Sequence, residues 1–156
     1  MTPIKSDNAD FQVSLKIILK NKKGEVLGLK MPDDSSMAGY YDLLGGRIKE
    51  SEIGTPFKKI IRREVAEEIG SKIKYKLKEV PVAIGRHSYL SKLYQKTQYI
   101  FWAFFEADYL SGEIALSSEH KEYQWLKLNR KNLKKYFVRG PLEGMTHYFS
   151  KKLGSK

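Results

Sequence analysis

Residues 45–70, GGRIKESEIGTPFKKIIRREVAEEIG, place three glutamates within five positions of a chain whose formal net charge is +11. Glu64 lies three residues before Glu67 and four before Glu68, so on a helix all three side chains project from one side. Like charges at these spacings destabilise a helix by roughly 0.2–0.5 kcal/mol per pair. Two sources of compensating charge are open: a bound metal ion, or the nearby side chains of a solvated helix face, namely Lys59, Arg62 and Arg63.

The residues around the glutamates predict a helix. Thr55 suits the N-cap, Pro56 the first helical position, where a missing N–H is harmless, and Gly70 the C-terminal end. Apolar residues between these ends recur every four positions and predict a stripe that faces the core. They are Ile61, Val65 and Ile69, with Phe57 and Ile60 widening the stripe near its start. At about 3.6 residues per turn, the glutamates border this stripe at the edge of the core.

Strand patterns lie on both sides of this helix. We predict strands at residues 11–19, 25–31, 40–44, 74–84 (bent at Pro81), 97–109 and 122–128, and two further helices at 129–137 and 141–152. A turn at 21–24 joins the first two strands as a hairpin, and the third ends at Gly45-Gly46. This order predicts an α+β fold with a mixed β-sheet, in one domain that spans residues 1–156.

The composition excludes several classes of function. The absence of cysteine excludes disulfides, thiolate catalysis and cysteine-ligated zinc. The three histidines are not spaced as metal ligands, so we expect no histidine–zinc site. No apolar run is long enough to cross a membrane and the N-terminus is polar, so we expect a cytoplasmic protein with no membrane contact.

The basic charge favours anionic partners. Lysine and arginine number 29 against 18 aspartates and glutamates, which would help the chain bind phosphates or RNA. The lysines are scattered along the chain, however, so we favour a generally solvated basic surface over a dedicated nucleic-acid footprint. RNA is therefore only a weakly supported partner.

Three carboxylates on one helix face are hard oxygen ligands suited to Mg²⁺ or Mn²⁺. The stretch that carries them resembles the box of the Nudix hydrolase family, which runs Gly, five residues, Glu, seven residues, then Arg-Glu-apolar-x-Glu-Glu-x-Gly-apolar. Gly46 and Glu52 match the first half, and residues 63–70, REVAEEIG, match the second through its glycine. Ser71 stands where an apolar residue is usual, and ten residues separate Glu52 from Arg63 instead of seven. We place the extra residues in the loop before Thr55.

The resemblance implies a Nudix-type α/β/α sandwich and hydrolysis of a nucleoside diphosphate linked to a group X, with Mg²⁺ or Mn²⁺ as cofactor. The resemblance implies that Glu64, Glu67 and Glu68 are metal ligands, together with the carbonyl of Gly46. It also implies that Arg63 orients these glutamates. Glu52 would pair with Arg63 to hold the loop, with Glu50 as the alternative.

The general base in many Nudix enzymes is a glutamate outside the box. Here the segment SSEHKEYQWL offers Glu119 and Glu122, and we favour Glu119, because it is predicted on the loop and Glu122 at the start of a strand. A polar loop without a catalytic role is the alternative. His120 would orient Glu119 or lie exposed.

Several other side chains have both a binding and a structural interpretation. Tyr40 and Tyr41 could stack on a base or pack in the core, and His87 could contact phosphate, although we expect it on the surface. Arg86 is a better phosphate candidate. The aromatic residues of the long strand are interpreted as sheet core: Phe101, Trp102, Phe104 and Phe105.

The sequence does not identify the group X. Nucleotide sugars, dinucleoside polyphosphates and nucleoside triphosphates all fit the resemblance, and we expect the segments 31–39, 85–97 and 137–147 to select among them. Two alternatives are hydrolysis at the 5′ end of RNA and a nucleotide-binding module without activity, although the intact REVAEE argues against the latter. Dimers are frequent in the family, so a homodimer is a further expectation.

Overall fold

The protein, described here from a computed structural model, is defined over residues 6–154, with side chains as far as Lys151. Residues 1–5 and 155–156 of the predicted domain lie outside the described residues. The elements follow in this order: β1 (Phe11–Lys20), β2 (Val26–Lys30), β3 (Tyr41–Asp42), β4 (Leu44–Arg47), α1 (Phe57–Ile69), β5 (Lys74–Leu77), β6 (Ala83–Ser91), β7 (Lys96–Ser111), β8 (Tyr123–Leu126), α2 (Leu133–Tyr136) and α3 (Arg139–Gly154). A short 3-10 turn at Glu50–Glu52 precedes α1.

The strands form one mixed sheet, as the element order predicted. β1 and β7 pair in parallel at its centre, from Phe11 opposite Tyr99 to Lys20 opposite Asp108. The other pairings are antiparallel: β4 and β2 on β1, β3 and β8 on β2, and β5 and β6 on β7. The fold class is therefore α+β with a mixed β-sheet.

Each face of the sheet carries its own hydrophobic core, because successive strand residues point to opposite faces. Leu15, Ile17 and Leu19 of β1 pack with the apolar stripe of α1. Ile18 packs on the other face, with Phe104 and residues of α2 and α3. The sheet thus lies between α1 and α3, and the predicted α/β/α sandwich is confirmed.

The helix α1 differs from the prediction only at its start. Pro56 occupies the N-cap position and Phe57 is the first helical residue, so Thr55 does not cap the helix. Phe57 is half exposed, whereas the rest of the predicted stripe is buried. The helix ends at Gly70, whose φ of +94° is a conformation that glycine adopts most readily. The extra box residues therefore lie before an uninterrupted helix.

The helix α3 approaches the sheet through small residues. A Cβ at Gly144 would overlap the ring of Phe104, and one at Gly140 would lie 3.0 Å from the Cβ of His87. The start of α3 also differs from the prediction, since the helix begins at Arg139 and Pro141 lies inside its first turn. Most of the segment 137–147, expected as a specificity loop, is therefore helix.

The single strand predicted over 74–84 is two strands. β5 and β6 lie along the same edge of β7, and the hydrogen bonds from Lys78 N–H to Glu106 O and from Val82 N–H to Phe104 O flank the break. Residues 79–81 bulge out between them, where Pro81 has no N–H to offer a neighbouring strand. Because β6 continues to Ser91, much of the segment 85–97 is strand and not loop.

Two further boundaries also need correction. The strand predicted over 40–44 is two strands, β3 and β4, interrupted at Leu43, and β4 continues through both glycines. The helix predicted at 129–137 is the single turn α2, because the side chains of Asn129 and Asn132 hydrogen-bond to the backbone around them and compete with helix formation. Among the described residues, the helices are all too short or too polar to cross a bilayer.

Candidate active site

Two of the three box glutamates are buried beside the glycine pair. The side chains of Glu64 and Glu68 lie between α1 and β4, where Glu64 is only 8% exposed and Glu68 only 6% exposed. The Gly45 N–H donates a hydrogen bond of 2.7 Å to Glu68 Oε2. A Cβ on Gly46 would lie 2.5 Å from Glu64 Oε1, so this carboxylate can occupy its position only because Gly46 has no side chain.

The third glutamate, Glu67, lies on the solvent side of α1, with its side chain about half exposed. It reaches Arg63 Nη1 at 2.9 Å, as expected for side chains four residues apart on a helix. The three carboxylates are therefore not equivalent. Glu64 and Glu68 face the glycine pair, and Glu67 lies at the rim.

Arg63 joins the box loop to the helix. Its Nε donates to Glu52 Oε1, and its Nη2 donates to Glu52 Oε2 at 2.9 Å. Its Nη1 lies 2.8 Å from Glu64 Oε1. The 3-10 turn before α1 presents Glu52 to Arg63, and these hydrogen bonds lower the pKa of Glu52 and raise that of Arg63. The longer loop has therefore kept the pairing with Glu52, and Glu50 is not needed for it.

Burial makes the ionised forms of the two inner glutamates unfavourable. It raises the pKa of Glu68 to about 8, although the charge of Lys16 and the Gly45 hydrogen bond act in the opposite direction. Burial also raises the pKa of Glu64, against the charge of Arg63. The charge of Glu64 further raises the pKa of Glu68, and the charge of Glu67 raises the pKa of Glu64, so a cation at this position would stabilise the ionised forms of both inner glutamates.

Lys16 is a buried residue of the site that the sequence analysis missed. Its ammonium lies 2.8 Å from Asp42 Oδ2 and 3.4 Å from the carbonyl oxygens of Leu43 and Gly45. It also lies 4.8 Å from the centre of the Trp102 ring. The lysine therefore holds the backbone that leads into the glycine pair. A lysine within the apolar run of β1 was the available signal.

The segment before β8 is attached to the end of α1. Ala115 N–H and Ser117 N–H donate to the carbonyl oxygens of Ile69 and Glu68, each at 2.9 Å, and so satisfy two groups that a helix end leaves free. This attachment carries the loop that follows back towards the buried glutamates.

Glu119 and His120 lie on that loop. One ligand atom each from Glu68, Glu119 and His120 lies within 4.8 Å of the other two. The sequence analysis found no metal-ligand spacing among the histidines, but the fold brings His120 and its neighbour Glu119 close to Glu68, which is distant in sequence. Glu122 lies instead at the start of β8, exposed, with its carbonyl accepting a hydrogen bond of 2.8 Å from Lys30 N–H.

A cavity of about 300 Å³ opens on the face of the sheet opposite α1. Trp102 and His87 form part of its wall, and residues 35–37 of the predicted specificity loop lie over it. Gly46 borders this cavity and also contacts Glu64, so the cavity and the buried glutamates meet at the glycine. A larger cavity of about 420 Å³ lies between α1 and β5 and contains none of the box glutamates.

The other predicted binding candidates divide between the cavity and the rest of the molecule. His87, expected on the surface, is half-buried in the cavity wall and packs on Trp102. Trp102, expected only as core, is buried but also lines the cavity. Arg86 is exposed and pairs with Glu143 outside the cavity, and Tyr41 is a core residue.

The donor set fits a hard divalent cation. A second buried carboxylate, Glu106, shows the contrast: burial raises its pKa, but the ammonium groups of Lys20 at 2.6 Å and Lys78 at 2.7 Å and the Tyr148 hydroxyl bring it down to about 2. Glu68 accepts its hydrogen bond from a neutral N–H and keeps a raised pKa. Among the described residues, Glu68 therefore has no direct cationic partner of the kind that Glu106 has, and Mg²⁺ or Mn²⁺ suits such an oxygen ligand.

The sequence matches the NUDIX domain family over residues 10–143. The chain belongs to the Nudix family. Membership makes it a hydrolase of phosphoric anhydride bonds. The fold described above is that of a Nudix protein, as the resemblance of residues 46–70 implied.

Solved structures of other Nudix proteins share this fold. The MutT protein from Methanosarcina mazei Go1 is 24% identical with a TM-score of 0.66, over 97% of this chain and 100% of that one. An Ap4A hydrolase from C. elegans is 16% identical with a TM-score of 0.60, over 93% and 99%. An ADP-ribose pyrophosphatase from Streptococcus suis 89-1591 is 14% identical with a TM-score of 0.58, over 94% of each chain. No curated protein matches the sequence.

Proposed function

We propose that this Nudix protein hydrolyses a nucleoside diphosphate linked to a group X, with cleavage inside the pyrophosphate. The observation that carries the proposal is the position of Gly46, between a cavity wide enough for a base or sugar and the buried carboxylates of α1. A substrate seated in the cavity would extend its pyrophosphate past this glycine towards Glu64 and Glu68.

The box residues would hold a divalent cation. Glu64 and Glu68 are the inner ligands, Glu67 reaches the site from the rim, and the Gly46 carbonyl is the backbone ligand. Mg²⁺ or Mn²⁺ bound there would neutralise the charge of the pyrophosphate and lower the pKa of a water molecule. Arg63 acts through the glutamates as a positioning residue, since it holds Glu64 and Glu67 and is itself held by Glu52.

Glu119 would act as the general base. Its carboxylate lies close to that of Glu68 and is exposed, so it can accept a proton from water on the open side of the site. The water oxygen forms a bond to phosphorus as the bond from phosphorus to the bridging oxygen breaks. The products are a nucleoside monophosphate and phosphorylated X.

The cavity would bind the nucleoside or X. Its wall offers the rings of Trp102, His87 and Tyr89, on which a planar base can stack. Lys16 and Asp42 also border it as a mutually paired ammonium and carboxylate. Both kinds of contact suit a nucleotide derivative better than a simple phosphate ester.

Product analysis by liquid chromatography tests the proposal. The wild-type protein and Glu68→Gln would each be incubated with Mg²⁺ or Mn²⁺ and a panel of substrates: nucleotide sugars, ADP-ribose, dinucleoside polyphosphates, nucleoside triphosphates and a 5′-triphosphate RNA. We expect the wild type, but not the variant, to release a nucleoside monophosphate from one small-molecule class. Cleavage of RNA alone, or no cleavage by a wild type that binds the cation, would overturn the proposal.

A further inference from the structure

His120 carries one of three buried polar side-chain atoms that lack a hydrogen-bond partner among the described residues, the other two being Trp102 Nε1 and Ser117 Oγ. Its Nδ1 is buried, and among the described residues no hydrogen-bond partner reaches it. A buried ring nitrogen in this state is uncommon, since buried polar atoms nearly always have a partner. His120 therefore carries a ring nitrogen without a partner, in a ring that lies next to two carboxylates.

The surroundings of His120 are those of a metal ligand. A ring nitrogen of His120 and single carboxylate oxygens of Glu68 and Glu119 lie within 4.8 Å of one another. The loop that carries His120 is attached to the end of α1 by the hydrogen bond from Ser117 N–H to the carbonyl oxygen of Glu68.

An imidazole nitrogen changes which cation a site prefers. Mg²⁺ binds oxygen ligands and keeps several waters, whereas first-row transition ions also accept imidazole, with affinities that rise from Mn²⁺ towards Co²⁺. A site of carboxylates and carbonyls alone suits Mg²⁺ and Mn²⁺. One nitrogen added to two carboxylates favours the transition ions.

We propose that His120 is a ligand of the catalytic cation, together with Glu68, and that the site binds Mn²⁺ or Co²⁺ more tightly than Mg²⁺. This inference rests on the proposed function, because it takes the box glutamates as the cation site. Glu119 lies beside the same ion, where it can accept a proton from water. The ligand set thus combines the box with a residue from a loop distant in sequence.

Electron spin echo measurements on Mn²⁺-loaded protein, without substrate, test the inference directly. The chain has only three histidines, so the variants His87→Gln, His120→Gln and His147→Gln cover every imidazole. We expect ¹⁴N modulation from a directly bound nitrogen in the wild type, and its loss in His120→Gln alone. His147→Gln is the matched control, since His147 lies on α3 and accepts a hydrogen bond from Ile84 N–H.

Calorimetric titration with Mg²⁺, Mn²⁺ and Co²⁺ provides a second measurement. Glutamine offers an amide oxygen in place of the imidazole nitrogen, so His120→Gln should lose at least about tenfold in affinity for Co²⁺. Loss of a group that only hydrogen-bonds to a metal ligand already lowers metal affinity by about 10–100-fold. Its affinity for Mg²⁺ should change much less.

If the variant does not fold, wild-type protein labelled with ¹⁵N-histidine provides the test instead. An imidazole bound to Mn²⁺ must then show ¹⁵N coupling in place of ¹⁴N coupling. Absence of any nitrogen coupling, or an equal loss of Mg²⁺ and Co²⁺ affinity in His120→Gln, would overturn the inference. Nitrogen coupling in a protein that cleaves no substrate would instead refute the proposed function and leave the ligand assignment standing.

Discussion

Arg63 binds both carboxylate oxygens of Glu52, although ten residues separate the two in place of the usual seven. The pair persists because the 3-10 turn at Glu50–Glu52 folds the longer loop back towards α1. The same guanidinium also contacts Glu64. A residue of the loop therefore controls the position of a predicted metal ligand through Arg63.

Substitution Glu52→Gln should lower turnover by about 10–100-fold, because a reacting group displaced by about 1 Å loses rate on this scale. The substitution Glu50→Gln, two positions away in the same turn, is the matched control and should leave turnover nearly unchanged. Steady-state kinetics at saturating Mg²⁺ measure both. Equal activity of the two variants would show that the Arg63 pair does not position Glu64.

Substitution Glu68→Gln should change how stability depends on pH. The pKa of Glu68 is about 8 in the folded protein and 4.5 ordinarily, so between these values the unfolded chain releases a proton that the folded protein keeps. The free energy of unfolding of the metal-free wild type therefore falls as pH rises through this window. Glutamine does not titrate, so this loss of stability is absent in the variant. The variant should therefore melt at a higher temperature than the wild type at pH 8 and above, by about 2–4 °C for each kcal/mol of difference in the free energy of unfolding.

Added Mg²⁺ should reverse this order. Binding to the folded state alone raises the melting temperature of the wild type, and Glu68→Gln should gain little. Melting temperatures from pH 5 to pH 9, with and without Mg²⁺, measure both effects. If the melting temperatures of the two proteins changed with pH in parallel in the absence of metal, the Glu68 carboxyl group would not have the pKa that its burial raises.

Substitution Gly46→Ala should damage the site and spare the fold. The new Cβ would meet the flexible end of Glu64, which can move away from the position that a cation needs. We expect a loss of Mg²⁺ affinity and turnover with little change in melting temperature. Gly45→Ala is the contrasting variant, because its Cβ would overlap the backbone of Leu15 at a φ of +124°, and it should destabilise the fold itself.

Gly54→Ala is the neutral control for these glycine variants. It lies in the box loop with open space around it. Calorimetry measures metal binding and thermal melting measures stability, so together they separate damage to the site from damage to the fold. If Gly46→Ala retained wild-type metal affinity, the contact with Glu64 would have no part in the site.

Substitution Glu119→Gln should reduce turnover by about 10²–10⁴-fold, the usual contribution of a general base. Glu122→Gln is the matched control, because Glu122 lies three positions later at the start of β8 and outside the cluster with Glu68. Single-turnover rates, together with circular dichroism to verify folding, provide the measurement. Near-full turnover in Glu119→Gln would remove this residue from the mechanism.

Substitution Gly144→Ala should destabilise the packing of α3 on the sheet. The added Cβ would overlap the Phe104 ring, and overpacking of this kind costs about 1–3 kcal/mol. Thr146→Ala, at an exposed position of the same helix, is the control and should change stability little. Urea unfolding monitored by fluorescence compares them. Equal midpoints would show that α3 can move away from the sheet without loss of stability.

Local spacing was sufficient to predict the helix that carries the box. The intervals between Ile61, Val65 and Ile69 and between Glu64 and Glu68 are set by the helix repeat, so the sequence indicates which side chains share a face. The pairing of Glu52 with Arg63 followed from the family pattern. The boundaries of β5, β6 and α2 were wrong because Pro81 and the two asparagines act through contacts that a periodic pattern does not contain.

The sequence by itself therefore determined the fold class, through the order of its strand and helix patterns. It also determined the family and the glutamates of α1, which depend on residues within one continuous stretch. Only the tertiary structure decided that Lys16, Trp102 and His120 belong to the same neighbourhood. These residues meet through the register of β1 against β7 and through the attachment of residues 115–117 to the end of α1. Such contacts join positions far apart in the chain, and their free energy depends on packing that no local spacing specifies.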